Sequence, residues 1–342
     1  MPRNKSGVFF INFMLASGFI TAMLKIMKRK FITLFLLTVC GVANAAEFKT
    51  KAKSAFLIDY DSGVEIVAKE ADTLMPPSSM IKLMTLAVLF DELKAGNITM
   101  DTRFPVGENA DYNRPEWYPA SKICLVAGQT ISVRDLILGL IVLSGGDASV
   151  VVAEKLAGTE AQFTALMEKK ARSIGMEQST FGNASGLPNP NNMMTSRELA
   201  ILAQHLIADY PDIYPMFATK RFEFSEHKTD WCREWGRTHT LNYNKLLFNM
   251  RGADGLKTGH TADGGYGMVA SAKIGGRRLI AVVNGFNGKG HQALADEVKK
   301  LSHFMLCNGF PRDVSTVEVI KTTFALLEEY FPEMTLVNLV FE

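Results

Sequence analysis

The sequence predicts an α+β fold: one antiparallel sheet whose first and last strands are neighbours, with helices packed on it. Two observations carry the prediction. Strand-like runs bounded by turn residues lie near both ends, at residues 55–59 and 64–68 and again at 267–273 and 277–284. Apolar helical segments fill the stretch between them, at residues 78–94, 133–143, 197–207 and from 148 to 156. No repeat or low-complexity segment interrupts this order.

Asp61-Ser62-Gly63 joins the first two runs as a hairpin, and Pro76-Pro77 then punctuates the chain. The helix predicted at 78–94 is apolar almost all round, through Met80, Ile81, Leu83, Met84, Leu86, Ala87, Val88, Leu89 and Phe90, and Gly96 closes it. A helix without a wide polar face is buried. Its methionines are core filling. Seventeen residues with a charged end are too few to span a membrane. Gly275-Gly276 joins the last two runs as a tight hairpin.

With 342 residues, 47% hydrophobic and 21% charged, the chain has enough apolar material for one large domain or two ordinary ones, and it is not a disordered composition. The formal charge of +2 is uneven: residues 1–45 hold six basic residues and no acidic one, which leaves the body at −4. A weakly acidic body gives no reason to expect nucleic-acid binding. Lys28-Arg29-Lys30, an apolar stretch at 31–39 and Ala43-Asn44-Ala45 form a secretory signal peptide cut after Ala45. Met27 is a candidate true start, with residues 1–26 an extension. The competing reading makes 8–24 a membrane anchor, but that segment is short and Asn12 and Thr21 interrupt it. Leu37-Thr38-Val39-Cys40 has a faint lipoprotein character, against which Val39 is too bulky. The exported part keeps Cys124, Cys232 and Cys307, whose spacing fits no zinc site or redox pair. One disulfide with one free thiol, or three unpaired cysteines, both remain open.

Ser79-Met-Ile-Lys82 opens the buried helix. Residues three apart share a helix face, so the Lys82 ammonium reaches the Ser79 hydroxyl. A serine is a poor nucleophile until a base takes its proton, and a lysine is such a base only when burial or a second cation lowers its pKa. The start of a helix also favours negative charge forming there. The pattern alone is cheap. Ser225-Glu-His-Lys228 is a second match, in a polar stretch that reads as surface. Two further elements add context: Ser144-Gly145-Gly146, 65 residues on, between two helices, and Lys257-Thr258-Gly259 with His260, a further 113 on, just ahead of the hairpin. Lys5-Ser6-Gly7 is an accidental copy of the last.

These three elements in this order resemble the penicillin-recognising serine enzymes. The surroundings are similar to the low-molecular-weight D-Ala-D-Ala carboxypeptidases, through Pro77-Ser-Ser-Met-Ile-Lys-Leu-Met-Thr85, Ser144-Gly-Gly-Asp-Ala-Ser149, Asn183-Ala-Ser-Gly-Leu187, Asp254-Gly-Leu-Lys-Thr-Gly-His-Thr261 and Arg277-Arg-Leu-Ile-Ala-Val-Val283. The resemblance covers about residues 51–310 and implies a β-lactamase/transpeptidase-like fold: an antiparallel sheet flanked by helices, with an inserted helical region. The chain is then expected to divide into a signal peptide at 1–45, a catalytic domain at 46–310 and a short tail at 311–342, with the second domain that many relatives add absent or truncated. By the resemblance, Ser79 attacks the penultimate D-Ala carbonyl and Lys82 is its base. Ser144 and Lys257 form a relay that keeps Lys82 neutral and protonates the leaving D-Ala. Thr258 and the His260 side chain grip the substrate carboxylate beside Gly259, and the N–H groups of Ser79 and His260 form the oxyanion hole. The implied partners are the peptidoglycan stem peptide and, as covalent inhibitors, β-lactams; no cofactor is called for. Gly146 departs from the family, whose second motif ends in an Asn that binds the substrate peptide. Lost donors of that kind cost about 10²–10³ in rate, so Gly146→Asn is expected to speed D-Ala release.

Two alternatives stand beside this. A class A β-lactamase would need a Glu-x-x-Leu-Asn segment after the second motif, and none of the glutamates there opens one. A catalytically weak penicillin- or muropeptide-binding protein is the third reading, which Gly146 makes credible. His227, His239 and His291 read as solvated, and Trp117, Trp231 and Trp235 as surface packing. No acid partners His260, and no G-x-S-x-G surrounds Ser79. A helix at 318–329 has an acidic end unlike a membrane-surface helix, so membrane contact is expected to be peripheral at most.

Overall fold

The computed structural model describes residues 49–308, apart from 118, 119, 275 and the side chains of 301–308. The signal peptide, the tail at 311–342 with its helix, Cys40 and the Cys307 side chain lie outside what it describes.

Asp59 makes the first turn. Its carboxylate accepts the Ser62 N–H (2.9 Å) and hydroxyl (2.8 Å), folding β1 (Ser54–Asp59) back onto β2 (Glu65–Lys69). A 3₁₀ turn, Ser78–Ile81, leads directly into α1 (Lys82–Lys94). A short ribbon of β3 (Arg103–Pro105) and β4 (Thr130–Ser132) precedes the helices α2 (Val133–Val142), α3 (Gly146–Ala157), α4 (Glu160–Ser173) and α5 (Ser196–Asp209). Then come α6 (Asp230–Thr238), α7 (Leu246–Asn249), the strands β5 (Ala253–Thr261), β6 (Gly265–Ile274) and β7 (Arg277–Phe286), and α8 (Gly290–Asn308).

The five long strands form one antiparallel sheet in the order β2-β1-β7-β6-β5. First and last strands are neighbours as expected, with Ser54 opposite Asn284 and Asp59 opposite Leu279. Every residue of β1 is buried because both faces of the sheet are covered. Phe56, Ile58, Ile280 and Val282 face the large helical core built around α1. Ala55, Leu57, Ala281 and Val283 face Leu294, Ala295 and Val298 of α8 on the other side. The α+β class expected from the sequence therefore holds as three layers.

Some elements were not foreseen. β5 carries Gly255, Gly259 and a buried lysine, a composition without a strand signal. α4 is polar on most of its surface and buries only Phe163, Met167 and Ala171. Ile274 pairs with Arg277 across the expected two-residue turn. The reading of three unpaired cysteines is excluded: Cys124 and Cys232 are bonded, their Cα atoms 5.6 Å apart.

Candidate active site

The 3₁₀ turn sets the first pair. Side chains three residues apart eclipse in such a turn, so Ser79 and Lys82 stand one above the other. Lys82 Nζ donates to Ser79 Oγ at 2.9 Å and also to the Ser185 carbonyl. Lys82 is 2% exposed, and burial brings its pKa down to about 7 against the opposing pull of Asp147 and Glu160. Ser79 itself is half-buried, so its hydroxyl stands against this lysine and is still reachable.

β5 runs along this turn. A Cβ on Gly259 would fall 2.9 Å from the Pro77 carbonyl and 3.1 Å from the Ser79 nitrogen, so only glycine lets the strand come this close. Ser78 sits at φ 50°, and its hydroxyl pairs with that of Thr261 at 2.8 Å. Lys257 and Thr258 are buried, while His260 is exposed and stacks on Tyr266 with centroids 4.0 Å apart. Burial, with Lys82 nearby, holds the Lys257 pKa well below the usual lysine value. Lys257 Nζ donates to the Thr258 carbonyl at 2.9 Å. The third element thus lies on the edge strand β5, ahead of the β6–β7 hairpin as expected.

Ser144 is buried and also left-handed, at φ 57°. The chain after it enters α3 at Gly146, whose N–H donates to the Ser121 carbonyl at 2.9 Å. Asp147 then reaches back: its carboxylate accepts the N–H groups of Ile123 (2.9 Å), Cys124 (2.8 Å) and Leu125 (3.1 Å). Trp117 begins this loop and closes over Gly146. A Cβ at 146 would lie 2.5 Å from the indole Cζ3. The space of the absent side chain is filled. Trp117 is 2% exposed, so its assignment to surface packing is corrected. Lys122 donates to the Trp117 carbonyl at 2.7 Å, and its Nζ sits 4.9 Å from the Trp235 ring. Among the described residues no hydrogen bond joins Ser144 to Lys257.

A cavity of about 290 Å³ adjoins the site, lined by Trp117, Glu154, Glu160, Asn183 and Ser185 among others. Glu160 had no signal in the sequence, and Asp147 and Ser185, which lie in stretches that carry the resemblance, had no role assigned, because these contacts are made across the fold. Two histidines also differ from expectation. The ring nitrogens of His227 and the Nδ1 of His291 are buried, and burial first, then Lys257, brings His291 down to about 4. Ser225 and Lys228 are exposed, as expected of the second Ser-x-x-Lys match. Among the described residues no cluster of His, Cys, Asp or Glu is placed to hold a metal ion.

Comparison with known proteins agrees with this geometry. Residues 41–288 match the D-alanyl-D-alanine carboxypeptidase family. The chain is 35% identical to D-alanyl-D-alanine carboxypeptidase DacC of Escherichia coli (strain K12), over 89% of this chain and 74% of the relative. Penicillin-binding protein 5 from Haemophilus influenzae superposes with a TM-score of 0.68 at 33% identity, over 75% of this chain and 71% of that one. Penicillin-binding protein D2 from Listeria monocytogenes, solved in a cefotaxime-bound form, gives 0.64 at 25% identity, over 75% and 98%. With Ser79 and Lys82 paired at the turn on which the Lys257 strand packs, the chain belongs to the D-alanyl-D-alanine carboxypeptidase family of serine peptidases.

Proposed function

We propose that this protein removes the terminal D-Ala from peptidoglycan stem pentapeptides through an acyl-enzyme on Ser79, and that β-lactams acylate the same residue. The observation that carries the reading is the 2.9 Å contact between Ser79 Oγ and a lysine buried enough to be half neutral near pH 7. Lys82 takes the Ser79 proton as Oγ attacks the penultimate carbonyl. Negative charge forming on that oxygen is met by the N–H groups of Ser79 and His260. The C–N bond breaks, and the leaving D-Ala amine gains a proton through Lys82, Ser144 and Lys257. Thr258 and His260 hold the terminal carboxylate. Water then hydrolyses the ester, returns a proton to Ser79 and frees the tetrapeptide. A buried Lys257 beside Lys82 supports the relay, since like charge favours keeping one of them neutral.

The protein acts in the periplasm after export, in contact with the cell wall and with the membrane surface at most. Among the described residues no helix is long and apolar enough to cross a membrane. The test is purified protein incubated with a stem pentapeptide, beside labelling with a fluorescent penicillin and peptide mapping. D-Ala release with the adduct on Ser79 is expected. Labelling without release would leave a penicillin- or muropeptide-binding protein, and an adduct on Ser225 or none would remove the assignment.

A further inference from the structure

Residues 183–187 form the part of the site that receives the Lys82 ammonium, and their backbone is tied on several sides. The Ala184 carbonyl accepts the Thr85 hydroxyl of α1 at 2.8 Å, and the next carbonyl, that of Ser185, accepts Lys82 Nζ. The Ala184 N–H donates to Glu160 Oε1 at 2.9 Å. Glu160 is the first residue of α4, after Thr159, whose hydroxyl accepts the Gln162 N–H and caps the helix. A glutamate in a first turn usually favours solvent and the helix dipole. This one is instead turned onto the loop and lines the 290 Å³ cavity together with Asn183 and Ser185.

We infer that Glu160 is a positioning residue for Lys82, acting on it through the loop at 183–187 and through its own negative charge. The loop route is geometric. Without an acceptor at 160 the Ala184 N–H loses its partner, and the carbonyl one residue on shifts relative to Lys82. The charge route is electrostatic. Three charged groups from three other elements bear on Lys82: Asp147 from α3, Glu160 from α4 and Lys257 from β5. The two carboxylates favour its protonated form, and burial opposes them. On the Glu160 side, burial and the Glu154 charge favour a neutral carboxyl, whereas Lys82 and the Ala184 N–H favour the carboxylate. Removing the Glu160 charge therefore makes Lys82 easier to deprotonate, which moves the acid limb of acylation to lower pH.

This inference rests on Lys82 being the base of the proposed reaction, and two variants separate its parts. Glu160→Gln keeps an oxygen for the Ala184 N–H but removes the charge. Glu160→Ala removes both. The second-order rate of Ser79 acylation by a fluorescent penicillin is followed from pH 5 to pH 10. Glu160→Gln should shift the midpoint of the acid limb down by about half a unit to one unit, with the high-pH rate near wild type. Glu160→Ala should shift it equally and also lower the high-pH rate about tenfold. A purely structural glutamate would slow the reaction without moving the midpoint. A Glu160→Gln midpoint equal to wild type overturns the charge route, and a Glu160→Ala high-pH rate equal to wild type overturns the loop route. Should Glu160→Ala not fold, the loop route is decided by Glu160→Leu read in the same way. Wild-type protein that is never acylated overturns the proposed function itself, and the inference falls with it.

Discussion

The turn at Ser78–Ile81 and the turn at residues 143–146 both carry a serine with left-handed backbone, Ser78 at φ 50° and Ser144 at φ 57°, and each leads into a helix. They are held by different means. Backbone closes in on the first: Gly259 of β5 lies against Pro77 and Ser79, and the positions of Ser79 and Lys82 follow from one 3₁₀ repeat. Side chains hold the second. Asp147 gathers three N–H groups of a loop more than twenty residues earlier, and Trp117 presses on Gly146. A residue in left-handed backbone costs about 1–3 kcal/mol and persists only where its surroundings fix it. The first turn is therefore sensitive to its own few positions and to Gly259, whose missing side chain lets β5 close on it. The second is sensitive to residues well outside its motif.

The sharpest way to break this contrast is at Lys82. Lys82→Arg keeps the charge and supplies a group that does not deprotonate in a protein. Penicillin acylation should fall by about 10²–10⁴ with circular dichroism unchanged. Retained acylation would show that the first turn does not supply its own base. At the second turn, Asp147→Ala leaves the N–H groups of Ile123, Cys124 and Leu125 without their acceptor. Each lost partner of this kind costs about 1–3 kcal/mol, so urea unfolding should report a loss of at least about 3 kcal/mol, with acylation slowed as Ser144 loses its support. A loss below about 1 kcal/mol would mean that the loop is held by other contacts. The smallest expected effect is at Gly146. The sequence alone favours a faster enzyme on Gly146→Asn, but the Cβ would meet the indole at 2.5 Å. The single variant should lose about 1–3 kcal/mol to overpacking and gain no rate. Trp117→Ala combined with Gly146→Asn should recover part of that loss, seen as a favourable coupling in a double-mutant cycle. A single variant as stable as wild type and faster in D-Ala release would show that the indole yields freely.

The same contrast explains what was legible in the sequence. Ser79 and Lys82 stand out because a local repeat brings them together, and an apolar run marks the helix behind them. The strands β1, β2, β6 and β7 show as apolar runs between turn residues. β5 does not, because it carries glycines and a buried lysine in place of an apolar run. Trp117 is read as surface because nothing near it in sequence reveals Gly146, 29 residues away, as its packing partner. Asp147 has the composition of an ordinary first-turn acid, and only the fold shows that it faces inward onto a loop.

The Cys124–Cys232 bond ties that loop to α6 across 108 residues. Closing a loop of this size restricts the unfolded chain and contributes about 2–4 kcal/mol. Whether the bond forms is set by its own reduction potential against the thiol poise of the surroundings. Before oxidation, the newly made polypeptide holds the segment behind Ser144 with hydrogen bonds and packing alone. It is then a laxer molecule, with more opportunity for proteases to enter. After oxidation the same residues are stapled, and that period of vulnerability ends.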